Sequence, residues 1–451
     1  MKKKNRIAII AFSMFVIFMP AYTAFTKGDL QGTSSDNPYL IYSEEDLRRI
    51  GNDPDWTLDK HYKLMNNIYL EKVHLGRNNF IPIGQDSETP FTGVFDGNGK
   101  RIHNLTLYGR EKQWGFFTYI NGEEAIVKNL GLVDVLINGE YVGGIVASFR
   151  KGVIENCYTT GTITGEKYAG GIAGTSRGQI IDCYSTALVS CREVSGGIIA
   201  LGNAPGVVSR CYFSGVVEGS YLNGGISGAN SGIIERSFFN GIINSSSPAG
   251  YSTTFSAATG GIVGYTYAQE GVLSEVLNCY STGIINGDIG TGGIVGENSG
   301  GIIQNCYSTA SITSKGKVKV AGGITGYNSS SIHSCVALME EIEFDYGLDG
   351  RVSASNWANV TNEMYSNNLA WDQIIVKRAN RDRYAIPAIY TDKYIVSKTK
   401  EELTSKITYE EIGWVFDGPD AIWEMEEYND IPRLRDVKGQ YAVKMPPHLL
   451  K

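Results

Sequence analysis

Over residues 93–340 the chain reads as apolar runs of 4–6 residues separated by Gly, Ser, Asn or Thr, and no stretch holds a helical period for 11 or more residues. A Gly-Gly followed by an apolar residue recurs seven times: YVGGIVA, YAGGIAG, VSGGIIA, LNGGISG, ATGGIVG, GTGGIVG and VAGGITG. The second glycines are Gly144, Gly171, Gly197, Gly225, Gly261, Gly293 and Gly323, at intervals of 27, 26, 28, 36, 32 and 30 residues. After each comes an apolar-polar run such as IENCYT, IIDCYS or QNCYST, and then a third short run such as GTITG or NGIING. One unit of about 27 residues with three predicted strands cannot bury its apolar side alone. Stacked on its copies it can, and this predicts an all-β fold: a parallel β-solenoid of about nine coils, each strand pairing with its equivalent one coil away at about 4.8 Å.

Alternation assigns the faces. The files read Leu105, Leu130, Cys157, Cys183, Cys211, Ser237, Cys279, Cys306 and Cys335, and leucine in that register predicts an inward position. Before it stand Asn104, Asn129, Asn156, Asp182, Arg210, Arg236, Asn278 and Asn305, a predicted corner file, since Asn tolerates left-handed backbone and bonds to stacked neighbours. After it the aromatic file Tyr158, Tyr184, Tyr212, Phe238, Tyr280 and Tyr307 points outward. Glycines are expected at corners that need positive φ. Six of the seven cysteines share one file, whose stacking separates Cβ atoms too far for bridging, so buried thiols are expected; Cys191 is expected on a turn.

Charge divides the chain. Residues 141–336 hold 20 charged residues in 196, against 67 in the other 255. The flanks therefore read as caps, residues 36–92 in front and 341–437 behind, followed by a tail at 438–451. Ser43 is the predicted N-cap of a short helix with an acidic first turn. The segment 1–24 carries Lys2-Lys-Lys-Asn-Arg6, an apolar run Ile7–Met19 and small residues after Pro20, the pattern of a secretory signal. The run is short for a membrane span. The expected product is secreted or surface-associated, without a stable membrane span once the signal is cleaved. A net charge of −7 gives no reason to expect nucleic-acid binding.

The GG-apolar-x-G turns, the (I/V)-x-N-C-Y-S strands and the opening PFTGVFDGNGKRIHNLTLYG resemble the GLUG-motif family of bacterial surface and secreted proteins. The closing KTKEELTSKITYEEIGWVFDGPDAIWEMEEYNDIPRLR resembles the family's terminal segment, so that the likeness covers roughly residues 37–436. The resemblance implies a right-handed parallel β-helix on an exported protein. It implies no single activity, because such repeats accompany many functions, including non-catalytic parts of some IgA-cleaving metallopeptidases.

Candidate chemistry is sparse. The five histidines form no HExxH, and no GxSxG elbow, Walker loop or CxxC pair occurs. No catalytic residue, metal ligand or cofactor is therefore nominated, and a non-enzymatic, adhesin-like role towards a surface glycan or protein is expected. The alternative is a carbohydrate-active β-helix enzyme of the polysaccharide lyase or hydrolase kind, for which Glu155, Asp182 and Glu235 beside Arg210 and Arg236 are the residues to inspect. Binding is assigned first to the aromatic file, Tyr158, Tyr184, Tyr212, Tyr280 and Tyr307, whose flat rings suit sugars or a partner protein. A second candidate is the longest unit, where two insertions carry Tyr251, Phe255, Tyr265 and Tyr267.

Overall fold

The structure is a computed structural model that describes residues 31–74, 76–246, 257–315, 319–344, 347–356, 361, 363–378, 395–440 and 445–450. The signal segment 1–24 lies outside the described residues.

The chain winds as a parallel β-solenoid of about nine turns. One coil shows the plan: Ala173–Ser176, Gln179–Ile181, Tyr184–Ser185, Leu188–Cys191 and Val194–Gly196. Each strand pairs in parallel with its equivalent in the next coil, Ala173 with Ile199, Gln179 with Val207, Tyr184 with Tyr212, Leu188 with Val216 and Val194 with Leu222. A coil therefore has five strands where the sequence pattern shows three runs. A two-residue strand such as Tyr184–Ser185 is too short to display alternation. In the central coils the first two strands build one continuous sheet and the other three build a second; in the earlier coils they merge into longer strands such as Val146–Glu155 and Tyr158–Gly170. Parallel pairing extends beyond residues 93–340 on both sides, starting at Tyr39–Ile41 on His61–Leu64 and reaching Ile395–Lys398 on Asn368–Trp371.

Inside run columns of like residues. Ile145, Ile172, Ile198, Ile226, Ile262, Ile294 and Ile324 stack after the double glycines, and Ile154, Ile180, Ile234, Ile303 and Ile332 stack on the second strand; all are fully buried. β-Branched side chains suit such pleated columns because few rotamers are lost on ordering. All seven cysteines are free and buried. Each ladder cysteine follows a left-handed residue, so its local backbone groups leave the regular pattern. Cys157 Sγ donates to the Glu155 carbonyl at 3.3 Å, and the Cys157 amide donates to Cys183 Sγ at 3.3 Å. Ser237 does the same work with oxygen, accepting from the Cys211 amide at 3.1 Å and donating to the Glu235 carbonyl at 2.8 Å. Burial pushes the thiols of Cys157, Cys211, Cys279 and Cys335 well above the ordinary range. Cys191 is not on a turn: it closes the strand Leu188–Cys191, is buried, and burial pushes its pKa to about 12.

The corner file is left-handed as expected. Asn104, Asn129, Asn156, Asp182, Arg210, Arg236, Asn278, Asn305 and Ser334 all have φ between 46° and 64°. Side chains link along it: Asn156 donates to Asn129 Oδ1 at 2.8 Å, Asn129 to Asp96 Oδ1 at 3.0 Å and Asn305 to Asn278 Oδ1 at 3.3 Å. Arginine fits this backbone poorly, since a Cβ costs about 1–2 kcal/mol there. Arg210 is compensated by a bidentate pair with Asp182 at 2.7 and 2.8 Å. Arg236 keeps a buried Nε without a partner. Arg236→Asn is expected to raise the unfolding free energy by about 1 kcal/mol. Urea denaturation checks it; an unchanged or lower midpoint refutes the account.

The double glycines overturn the expectation of positive φ. None of the fourteen lies in the left-handed region. They are required by close approach. A Cβ on the first glycine meets the carbonyl three residues on, as at Gly196, 1.9 Å from the Ile199 oxygen. A Cβ on the second meets the carbonyl of the equivalent residue in the next coil, as at Gly261, 2.1 Å from the Gly293 oxygen. The third glycine of the motif backs onto a fifth strand, with a Cβ at Gly264 falling 2.8 Å from the Asn223 amide and 3.0 Å from the Ala258 carbonyl. The fifth strand and the following first strand thus fold tightly against each other, which no side chain at the double glycines would permit.

The flanks carry the few helices. Glu44–Arg49 is capped by Ser43, whose Oγ accepts from the Asp46 amide at 3.3 Å. Lys400–Leu403 begins in a capping box of Thr399 and Glu402, and Lys406–Glu411 follows. Trp423–Glu424 and Arg433–Leu434 form an antiparallel pair. This last region docks on the side of the solenoid: Trp414 Nε1 donates to the Ser334 carbonyl at 2.9 Å, and Lys438 Nζ to Asn156 Oδ1 at 2.8 Å.

Candidate binding surface

Because the strands are in register, the aromatic file becomes a column of stacked rings. From Tyr158 through Tyr184, Tyr212, Phe238, Tyr280 to Tyr307 the centroids are 4.8–5.0 Å apart and the planes within 7° of parallel. The column begins where Gly131 leaves room: a Cβ there would lie 2.5 Å from the Tyr158 ring. Register and alternation place these rings on the face of the strands opposite the ladder cysteines, as the sequence pattern implies.

Most of the column is not open. Tyr280 and Tyr307 are fully buried, so these two nominated residues present no free face. Trp423 packs on both, and Trp414 stacks on Trp423 at 4.5 Å. Tyr307 Oη donates to the Pro432 carbonyl at 2.7 Å, and Tyr280 Oη donates to Gln440 Oε1 at 3.0 Å. Burial pushes both phenols well above the ordinary tyrosine range. Further along, Gly439 lies on the Tyr212 ring, where a Cβ would come within 2.5 Å, and burial pushes the Tyr212 phenol to about 12. Tyr158 and Tyr184, at the start of the column, are partly exposed.

The second candidate divides. Tyr251 and Phe255 lie outside the described residues. Tyr265 and Tyr267 stack on each other at 5.8 Å, and Tyr267 Oη donates to Asn203 Oδ1 at 3.0 Å. With Tyr168, Leu201 and Leu222 they cover Val194, Ala200 and Ala229, a small apolar cluster separate from the main core. Tyr265 belongs to a first strand and the ring column to third strands, so the structure does not join the two groups into one surface.

Two of the three carboxylates singled out in the sequence are engaged locally, and Glu155 is exposed. Asp182 is held by Arg210, and Glu235 accepts from Ser209 Oγ at 2.9 Å. Glu155 and Glu235 share one register file but stand three coils apart, while Asp182 sits on the corner file. Among the described residues no group of three His, Cys, Asp or Glu is placed to hold a metal ion, and no helix is long and apolar enough to cross a membrane.

One feature escaped the sequence reading. On the outer face of the fourth strand, Leu136, Thr162, Leu188, Val216, Ile242 and Ile284 form one register file, and Ile242 and Ile284 are 37% and 44% exposed. The signal was available: each residue precedes the inward Ile or Val of its run.

The GLUG motif model matches residues 138–164 and 287–313. Each window is one full turn, since Asn138 pairs with Thr164 and Asn286 with Thr313. Halomucin of Haloquadratum walsbyi (strain DSM 16790 / HBSQ001) is 32% identical over 151 residues, 32% of this chain; the match spans 2% of halomucin's own length. A crystal structure of a candidate immunoglobulin A1 protease from Bacteroides ovatus aligns over 89% of this chain and 93% of its own at 19% identity, with a TM-score of 0.40.

Proposed function

From a chain that carries GLUG repeats along a parallel β-solenoid, we propose an exported, non-enzymatic protein that binds a surface glycan or protein in an adhesin-like role. The observation that carries this reading is the start of the ring column, where Tyr158 and Tyr184 are stacked at 4.8 Å on an ordered ladder and stay partly exposed. Rings fixed by register bind with little loss of side-chain freedom, which favours them as contact groups. The basic and apolar pattern of residues 2–19 supports export. The pairing of Asp182 with Arg210 supports binding over acid–base chemistry, because both carboxylate oxygens accept from the guanidinium.

The test is an array of glycans and surface proteins probed with the purified chain. A ligand should emerge whose affinity falls about tenfold or more, roughly 1.4 kcal/mol, in the Tyr158→Ala/Tyr184→Ala double variant. Retained affinity in a folded double variant removes the column from consideration, and turnover of an array glycan overturns the non-enzymatic reading.

A further inference from the structure

A cleft of about 540 Å³ opens at the N-terminal end of the molecule, away from the ring column in sequence and in register. Its volume falls in the range of about 300–1,000 Å³ usual for small-molecule sites. It is lined by Glu44 and Arg48 of the helix Glu44–Arg49, by residues of 71–73 and 78–85, and by Trp114.

The cleft has an apolar side. Trp114 is half-buried, packed against the main core and in register with Val142. Phe80, stacked on Phe116 at 5.3 Å, and Ile81, 54% exposed, line the same cleft. An isoleucine left in solvent in the same cleft as an indole is what an apolar ligand face can cover.

It also has a fixed polar side. Asn79 is buried and fully engaged, donating to the Glu71 and Asn104 carbonyls at 2.8 and 2.7 Å and accepting from the Thr106 amide at 2.8 Å. That ties Asn79 to Glu71, Asn104 and Thr106. Arg48 donates to Glu44 Oε1 at 2.9 and 2.5 Å and to the Asn79 carbonyl, and its guanidinium lies 5.6 Å from the Phe80 ring. Asn78 Oδ1 accepts from the Tyr108 amide at 2.6 Å, which leaves its Nδ2 donors. Glu71 and Gln85 complete the rim.

This combination selects a ligand. A pyranose offers an apolar C–H face to an aromatic ring and a rim of hydroxyls that both donate and accept. Carboxylates accept from hydroxyls, amides do both, and a guanidinium donates. The lining holds two carboxylates and one guanidinium, and the guanidinium is already paired with Glu44. The remaining negative charge of Glu71 repels an anionic ligand. We infer that the cleft lined by the helix Glu44–Arg49 and Trp114 is a binding site for a neutral pyranose or short neutral oligosaccharide, and that it discriminates against uronates. The site is independent of the ring column.

The experiment titrates the purified chain with glucose, galactose, mannose and N-acetylglucosamine oligosaccharides, and with glucuronate and galacturonate oligosaccharides, by calorimetry. At least one neutral member should bind, and Trp114→Ala should weaken it about tenfold or more. Glu71→Gln keeps the hydrogen-bonding shape without the charge, so neutral binding should persist and the gap between neutral and uronate ligands should narrow by several-fold. This second variant leaves the indole and its packing in place, so it reads the site even where Trp114→Ala fails to fold. The inference is overturned if no neutral member binds wild type below roughly 10 mM, if uronates bind more tightly, or if folded Trp114→Ala binds as wild type. A sugar that loses affinity in Tyr184→Ala and not in Trp114→Ala binds on the ring column and likewise overturns this site.

Discussion

Trp423→Ala is expected to lower stability by about 3–5 kcal/mol, the usual cost of truncating a fully buried tryptophan. The side chain has no exposure and touches Trp414, Tyr280 and Tyr307 together. Its loss removes the centre of the interface between the C-terminal region and the ring column. The remaining polar ties, Trp414 to Ser334, Lys438 to Asn156, Tyr307 to Pro432 and Tyr280 to Gln440, are single hydrogen bonds of about 1 kcal/mol each. The region should therefore lift from the column while the solenoid stays folded. Spectrophotometric titration gives the second readout. Burial favours the neutral phenol, so in wild type Tyr280 and Tyr307 stay protonated as pH passes the ordinary tyrosine value of about 10. In the variant both should ionise near that value. A loss under about 1 kcal/mol, or an unchanged tyrosine titration, contradicts this packing.

Gly261→Ala is expected to cost about 3 kcal/mol or more, at the upper end for overpacking. The new methyl would lie 2.1 Å from the Gly293 carbonyl and 2.7 Å from Ser281 Cβ, and neither can move without parting two coils. Because each coil is stabilised by its neighbours, the damage should spread to the ladder on both sides. Gly228→Ala is the internal control. A Cβ there would lie 2.6 Å from Val194 Cγ1 and 2.8 Å from the Ser195 carbonyl, a milder approach than at Gly261, and its file carries Ala147 and Ala200 in other coils, so a smaller cost than that of Gly261→Ala is expected. Urea denaturation of the two variants settles the matter: equal midpoints would mean that close approach is not what the double glycine serves.

Much of the solenoid was legible in the chain because its information is local and repeated. A fixed interval between identical motifs sets the coil, and alternation within each run sets Cys157 inward and Tyr158 outward. Asn at the corner announces a left-handed residue because its short amide side chain lowers the cost of that conformation. Where the pattern broke, at Arg210 and Arg236, the backbone kept the same φ, since the ladder on either side imposes it.

What the sequence could not supply depends on distance. The reason for the second glycine of each pair lies in the carbonyl of the next coil, a neighbour about thirty residues away whose approach no local rule describes. Cys191, off the main file, is buried because the strand Leu188–Cys191 runs on far enough for alternation to carry it inward two residues after Val189, and that length is set by pairing with the neighbouring coils. The ring column is the clearest case. Its geometry follows from register alone, yet its accessibility does not. Tyr307 is covered by Pro432, 125 residues on, and Tyr280 by Gln440, 160 residues on. Alternation states which way a side chain leaves the sheet. Only the folded chain decides what packs on it afterwards, because burial against a distant segment is a property of the surface formed and not of the residues that form it.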